Sequence, residues 1–235
     1  MIPYVIINGV DSRTINGLMV QSLPPITKPK VRVNFEEIDG RDGDIARTLG
    51  YSAYDKTITI GLCRDYDVNQ VIEYFNTKGK ITFSNELDKY YNFAIYNQID
   101  LEKLVRYRTA NVTLHVQPFK YPTEEETVVN TVLSQYQYHN VVNNGNIESK
   151  PIYTIKGDGN IYITINDKRV MSLNLNNETI ILNVEEMNAY DAAGNFLNRR
   201  VIGDYNDLTL KSGKNVIFIE GVTELVSIKN YERWI

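Results

Sequence analysis

The sequence predicts a mainly β protein in two domains, and three observations carry that prediction. Tyrosine is over-used, with 17 Tyr against 7 Phe and 1 Trp, and tyrosine together with β-branched residues suits pleated, half-buried surfaces. Several segments place an apolar side chain at every second position, the period of a strand rather than a helix. Clusters of Asn, Gly and Asp punctuate the second half, as turns between strands do. At 235 residues the chain can bury one large core or two modest ones.

In chain order, alternation marks strands at Thr57 to Leu62, at Tyr91 to Ile95 and at Asn111 to Val116. One segment departs from it. Val68, Val71, Ile72 and Phe75 fall at i, i+3, i+4 and i+7, so a short helix is expected, with Tyr74 and Phe75 packing in a core. Asp67 can accept from its first-turn amides, Gln70 can reach back to the cap, and Gly79 suits a left-handed stop after Lys78. The boundary falls at Pro118-Phe119-Lys120-Tyr121-Pro122 followed by Glu124, Glu125 and Glu126, because proline denies ladder donors and consecutive carboxylates prefer water. That sets domains at 1–123 and 124–235. In the second domain Ile161, Ile163 and Ile165 alternate with Tyr162 and Thr164, and Val216–Ile219 and Leu225–Ile228 read as two further short strands. Asn143 to Asn146, a hairpin turn at Gly157-Asp158-Gly159, and Asn176-Asn177 separate them, the pattern of a sandwich or jelly roll.

Composition and motifs close off most chemistries. Lys+Arg 25 against Asp+Glu 29 gives −4, and with a pI near 5.3 the chain lacks a field that grips phosphate. Cys63 is the single cysteine and reads as a small buried filler; with His115 and His139 the only histidines, neither a disulfide nor a zinc centre is expected. The amino terminus has no basic region before its apolar stretch, so no signal peptide is expected, and no run nears the roughly 20 apolar residues of a membrane span.

Gly50-Tyr51-Ser52-Ala53-Tyr54 has tyrosine where a nucleophile elbow needs its second glycine. Ser212-Gly213-Lys214-Asn215 has asparagine where a phosphate loop needs a hydroxyl, and Gly157-Asp158-Gly159 precedes a strand rather than a helix. A calcium loop starting at Asp39 meets Arg41 at its third ligand position, so Asp39 to Asp44 reads as a tight connector in which Gly40 and Gly43 bracket Arg41 and Asp42. His115 points to the less apolar face of its strand, His139 has no carboxylate at a useful spacing, and Glu185-Glu186 reads as a solvated face. No catalytic residue, metal ligand or cofactor is expected.

The Ile38-Asp39-Gly40-Arg41-Asp42-Gly43 cluster resembles the distal tail proteins (Dit) of long, flexible-tailed bacteriophages. Joined to it in order are Ile7-Asn8-Gly9-Val10-Asp11, Gly79-Lys80-Ile81-Thr82-Phe83-Ser84 and Gln117-Pro118-Phe119-Lys120-Tyr121. The second half adds Asn144-Gly145-Asn146 through Pro151-Ile152, and an ending from Leu208 to Trp234. Ser212-Gly213 stands where the family pattern has a proline-glycine turn. The resemblance implies a ring-forming N-terminal domain, a C-terminal galectin-like β-sandwich, and Gly40, Arg41, Asp42, Gly43, Gly79, Gly145, Asn146 and Pro151 as structural positions. It further implies a virion protein, made in the host cytoplasm, whose homohexamer joins the tail-tube protein to the tail-tip protein around the tape-measure protein, and which carries receptor-binding proteins. Two competitors are a carbohydrate-binding module using Trp234, Tyr153 and Tyr162 as stacking platforms, and a glycosidase with paired carboxylates.

Overall fold

The computed structural model describes residues 2–124 and 128–235, with the backbone alone described over 128–137. The chain divides into two compact units, one running to Thr123 and one from Glu124 to Trp234.

The first unit contains β1 (Val5–Ile7), β2 (Val10–Asp11), β3 (Leu18–Ser22), β4 (Val31–Glu37), β5 (Asp44–Tyr51), β6 (Tyr54–Leu62), α1 (Val68–Phe75), β7 (Lys78–Phe83), β8 (Glu86–Ala94), α2 (Leu101–Tyr107) and β9 (Thr109–Pro122). Seven strands form one sheet in the order β2-β1-β7-β8-β9-β6-β3. The alternation read from sequence sets its buried face: Ile58 and Ile60 on β6, Tyr91 and Phe93 on β8, Val112, Leu114 and Val116 on β9. Phe75 of α1 and Leu104 of α2 pack into the same core. Each aliphatic side chain buried this fully contributes on the order of 1.5–3 kcal/mol.

Helix α1 starts where predicted. Asp67 caps it, accepting from the Asn69 amide at 2.9 Å. The stop differs from expectation. The helix ends at Asn76, and Gly79 lies inside β7 at φ +140. Its missing Cβ makes room for Asn8, whose Oδ1 would stand 2.1 Å from a Cβ there and instead accepts from the Lys80 amide at 2.9 Å. A second helix, α2, was not expected; it is seven residues long, buries only Leu104, and relies on Asp100, which accepts from the Lys103 amide at 2.8 Å. The prolines do not end β9 early. Pro118 falls in a register break between the Lys120–Tyr91 and Val116–Phe93 pairs, where the ladder is interrupted, and Pro122 is the strand's last residue. Glu124 is exposed as expected of a carboxylate run, while Glu125 and Glu126 lie outside the described residues.

The second unit contains β10 (Val128–Asn143), β11 (Ile152–Ile165), β12 (Lys168–Asn183), β13 (Asn188–Tyr190), β14 (Val201–Gly203) and β15 (Gly213–Lys229). They form an antiparallel sheet in the order β10-β15-β11-β12-β13, with β14 on β12. The strands are longer and fewer than the turn clusters implied. Gly157-Asp158-Gly159 is not a hairpin turn but a register break within β11. Asn177, at φ +46, lies within β12, and the runs Val216–Ile219 and Leu225–Ile228 are two halves of β15 joined through Gly221.

These breaks bend the long strands, so residues on both sides of the bend share one core: Ile155 with Ile161, Leu175 with Ile180, Ile219 with Val226. A sheet curled on itself in this way gives the mainly β, sandwich-like architecture that the alternation and turn residues predict.

Candidate assembly surface

One element of the first unit has no sheet to join. β4 and β5 pair only with each other, forming a two-stranded ribbon that leaves the body between Ser22 and Tyr54. Because paired residues share a face, Val31, Val33 and Phe35 stand with Tyr51, Thr48 and Ala46 on one side, and Arg32, Asn34 and Glu36 with Arg47 and Ile45 on the other. The second side is charged, with Arg47 3.4 Å from Glu36. On the first, Phe35 is 62% exposed while Val31 and Val33 are half-buried, and the Glu37–Asp44 pair continues the same side toward the tip; Leu49 and Ile38 are also exposed. A lone two-stranded ribbon is marginally stable in water, so exposed apolar side chains on one call for a partner.

The root of the ribbon is fixed. Lys56 occupies the core-facing parity of β6 and is buried, yet its ammonium donates to the Pro25 carbonyl at 2.8 Å. The rings of Tyr54 and Tyr91 lie 5.4 and 5.1 Å from Nζ, near enough for cation–π attraction. Burial pushes the Lys56 pKa down, with Lys120 adding to the shift and Glu86 opposing it. The half-buried Glu86 accepts from the buried Lys120 at 2.8 Å and from the Tyr91 hydroxyl at 3.1 Å, so the Lys120 charge is paired. Across the root, the Ser52 amide donates to the Lys30 carbonyl at 2.8 Å, and the Tyr51 and Phe119 rings meet edge-on at 5.5 Å.

The sequence-predicted structural positions fall in three places rather than one. Gly40, Arg41, Asp42 and Gly43 form the exposed ribbon tip, where the Arg41 amide donates to the Ile38 carbonyl and both glycines take positive φ. Gly79 makes the close approach to Asn8. Gly145 is buried in the second unit, in the turn after β10. Its amide donates to Asn143 Oδ1 at 3.0 Å, and neighbouring Asn144 donates to the buried Glu232 through its amide at 2.9 Å and its side chain at 2.8 Å. Asn146 is exposed on the same turn, and Pro151, buried, accepts from the Val184 amide. Phe35, Lys56 and Glu232 were not singled out from sequence, and Lys120 only as part of the boundary segment. For Lys56 a signal exists, since it interrupts the apolar parity of Ile58 and Ile60.

The other candidates resolve differently. Cys63 is exposed, not buried, because it follows the last residue of β6. Tyr153 is fully buried and donates to the Leu208 carbonyl at 2.9 Å, so it offers no stacking face, and the Arg169 guanidinium covers the Tyr162 ring at 4.1 Å. His115 lies on the polar face with Asp55 2.8 Å away. His139 is buried, its Nε2 has no partner among the described residues, and burial pushes its pKa down. Asp11, Asp88 and Asp191 are held below the usual carboxylate range by hydrogen bonds from Arg13, Lys89 and Asn195, the opposite of what a general acid needs. Among the described residues no three His, Cys, Asp or Glu side chains converge to hold a metal, and no helix is long and apolar enough to cross a membrane.

Fold and surface therefore define a two-unit β scaffold bearing an unpaired ribbon. Among solved structures the chain is similar to the Dit protein of phage SPP1, described as a paradigm of the hub adsorption apparatus in phages infecting Gram-positive bacteria. The likeness covers 100% of both chains, at 16% identity and a TM-score of 0.70. The chain has the Dit fold. A chain of the phage P2 baseplate, in its activated conformation with Ca, is also similar at 10% identity and TM-score 0.46, over 99% of this chain and 98% of that one. No family model matches the sequence, and no curated protein does.

Proposed function

We propose that this chain is a distal tail protein, a structural hub at the end of a phage tail. The observation that carries the reading is the fold correspondence with the SPP1 hub protein along both full chains. On this reading the first unit, 1–123, closes six copies into a ring that joins the tail-tube protein to the tail-tip protein around the tape-measure protein. The second unit, 124–235, is a galectin-like platform for receptor-binding proteins. Gly40, Arg41, Asp42 and Gly43 shape the ribbon tip, Gly79 seats Asn8, and Gly145, Asn146 and Pro151 shape the turn after β10. The formal charge of −4 suits a channel that must not hold passing DNA.

The reading is tested by the mass of the purified full chain in solution, alone and mixed with tail-tip protein. A particle of six copies is expected. A monomer at every concentration and in every mixture refutes it.

A further inference from the structure

We propose that Asn16 is a site of spontaneous deamidation, singled out by the fold from three Asn-Gly pairs, and that the isoaspartate formed there unseats β3.

The chain has Asn-Gly at 8–9, 16–17 and 144–145. A glycine after asparagine leaves its amide nitrogen open to the side-chain carbonyl, because no Cβ stands in the way, and such asparagines are thermolabile. By sequence the three pairs are alike. The fold makes them unequal. Asn8 is held by three hydrogen bonds: its Nδ2 donates to Thr77 Oγ1 at 3.2 Å and to the Lys78 carbonyl at 3.1 Å, and its Oδ1 accepts from the Lys80 amide at 2.9 Å. At the third pair both reacting groups are engaged. Asn144 Nδ2 donates to Glu232 at 2.8 Å, and the Gly145 amide donates to Asn143 Oδ1 at 3.0 Å. Asn16, in contrast, is exposed in the turn before β3, which the Leu18 amide closes on the Ile15 carbonyl at 3.1 Å. Among the described residues neither its side chain nor the Gly17 amide has a hydrogen-bond partner.

The reaction needs only water. The Gly17 nitrogen bonds to Asn16 Cγ, the Cγ–Nδ2 bond breaks, and the Gly17 amide proton leaves with Nδ2 as ammonia, closing a cyclic imide. Water then adds its hydroxyl to one imide carbonyl and its proton to the nitrogen. Cleavage at Cγ gives aspartate; cleavage at the former main-chain carbonyl gives isoaspartate, whose main chain runs through Cβ.

That detour falls just ahead of a tight seat. Gly17, at φ +73, lies so close to Tyr66 that a Cβ on it would stand 2.4 Å from the Tyr66 Cβ, and its carbonyl accepts from the Cys63 amide at 2.9 Å. Beyond it β3 is an edge strand whose Leu18 and Val20 are buried opposite Leu62 and Ile60. With a lengthened chain at residue 16, Gly17 and Leu18 cannot both keep their places.

The test incubates the full chain at mildly alkaline pH and maps the peptides by mass. The Asp-Gly pairs at 39–40, 42–43 and 158–159 have no amide to lose, so the mass gain reports asparagine alone. Each hydrogen bond that must break before attack slows conversion by a few-fold to tenfold, so Asn16 is expected to convert at least about tenfold faster than Asn8 or Asn144. In strong urea the three rates are expected to converge. Equal rates in the folded chain, or a preference for Asn16 that persists unchanged in urea, refute selection by the fold. The converted chain, which isoaspartyl methyltransferase labels at residue 16, is expected to melt below an Asn16→Gln chain incubated alongside it. Asn16→Asp carries the new charge without the longer main chain and is expected to melt with the unconverted protein. If the converted chain melts with Asn16→Gln, or if Asn16→Asp melts as low as the converted chain, isoaspartate does not unseat β3.

Discussion

Adding one methyl group at Gly145 tests how tightly the turn after β10 is built. A Cβ there would stand 2.4 Å from the Arg233 carbonyl oxygen, 2.9 Å from the Arg233 nitrogen and 2.9 Å from Asn143 Oδ1. Two of those atoms are backbone, so no rotamer change relieves the clash. Moving the turn instead strains five hydrogen bonds: Gly145 to Asn143, the two from Asn144 to Glu232, Ser212 to the Gly145 carbonyl at 2.6 Å, and Arg233 to the Glu148 carbonyl at 2.6 Å. Overpacking of this kind costs about 1–3 kcal/mol, and losing one charge-assisted bond adds about 1.5–3 kcal/mol. Gly145→Ala is therefore expected to destabilise the second unit by about 3–5 kcal/mol.

Trp234 is the single tryptophan and lies in that unit, so urea unfolding followed by its fluorescence reads the effect selectively. Gly194→Ala is the control. A Cβ there has nothing within 4 Å, and only the positive φ of +86 opposes it, so a loss of about 1 kcal/mol is expected. If Gly145→Ala loses no more stability than Gly194→Ala, the turn is not packed as described.

Burial holds the His139 pKa below its ordinary value of 6.5, so the unfolded chain binds the proton more readily. Stability of the second unit is then full above about pH 7 and falls as pH drops through 6.5 and below. Urea midpoints read through Trp234 at pH 7.5 and 5.5 are expected to differ less in His139→Phe than in the wild type; an equal difference refutes the assignment. Lys120→Met strands the half-buried Glu86 and is expected to cost the first unit about 3 kcal/mol, while Lys120→Met with Glu86→Leu recovers most of it. Thermal melts by circular dichroism check this, and a double variant no better than the single one contradicts it. Tyr153→Phe orphans the Leu208 carbonyl and is expected to lose about 1–3 kcal/mol of second-unit stability in the same urea assay; no loss means the carbonyl is satisfied by another donor.

Much of the fold was legible because its signals are local. The alternation around Ile58, Val112 and Ile161 reports which side chains face a core, and Asp67 with the Val68–Phe75 stripe reports both the start and the face of α1. Long-range effects were not legible. In sequence Gly79 looks like a helix stop and Gly157 like part of a hairpin turn. Their actual role is close approach to a distant segment, Asn8 for one and the Val222 carbonyl for the other, and one-dimensional spacing carries no trace of that. Tyr153 and Tyr162 have the same residue type and neighbouring parity, and only tertiary packing buries one and covers the other with Arg169. The ribbon is an intermediate case. Val31, Val33 and Phe35 alternate, but alternation alone cannot distinguish a face that meets its own core from one left for another chain.

Negative-stain images of the purified chain test the central claim most directly. Six copies around a central hole are the expected particles. A field of solitary molecules, unchanged by concentration or by added tail-tip protein, would contradict the account.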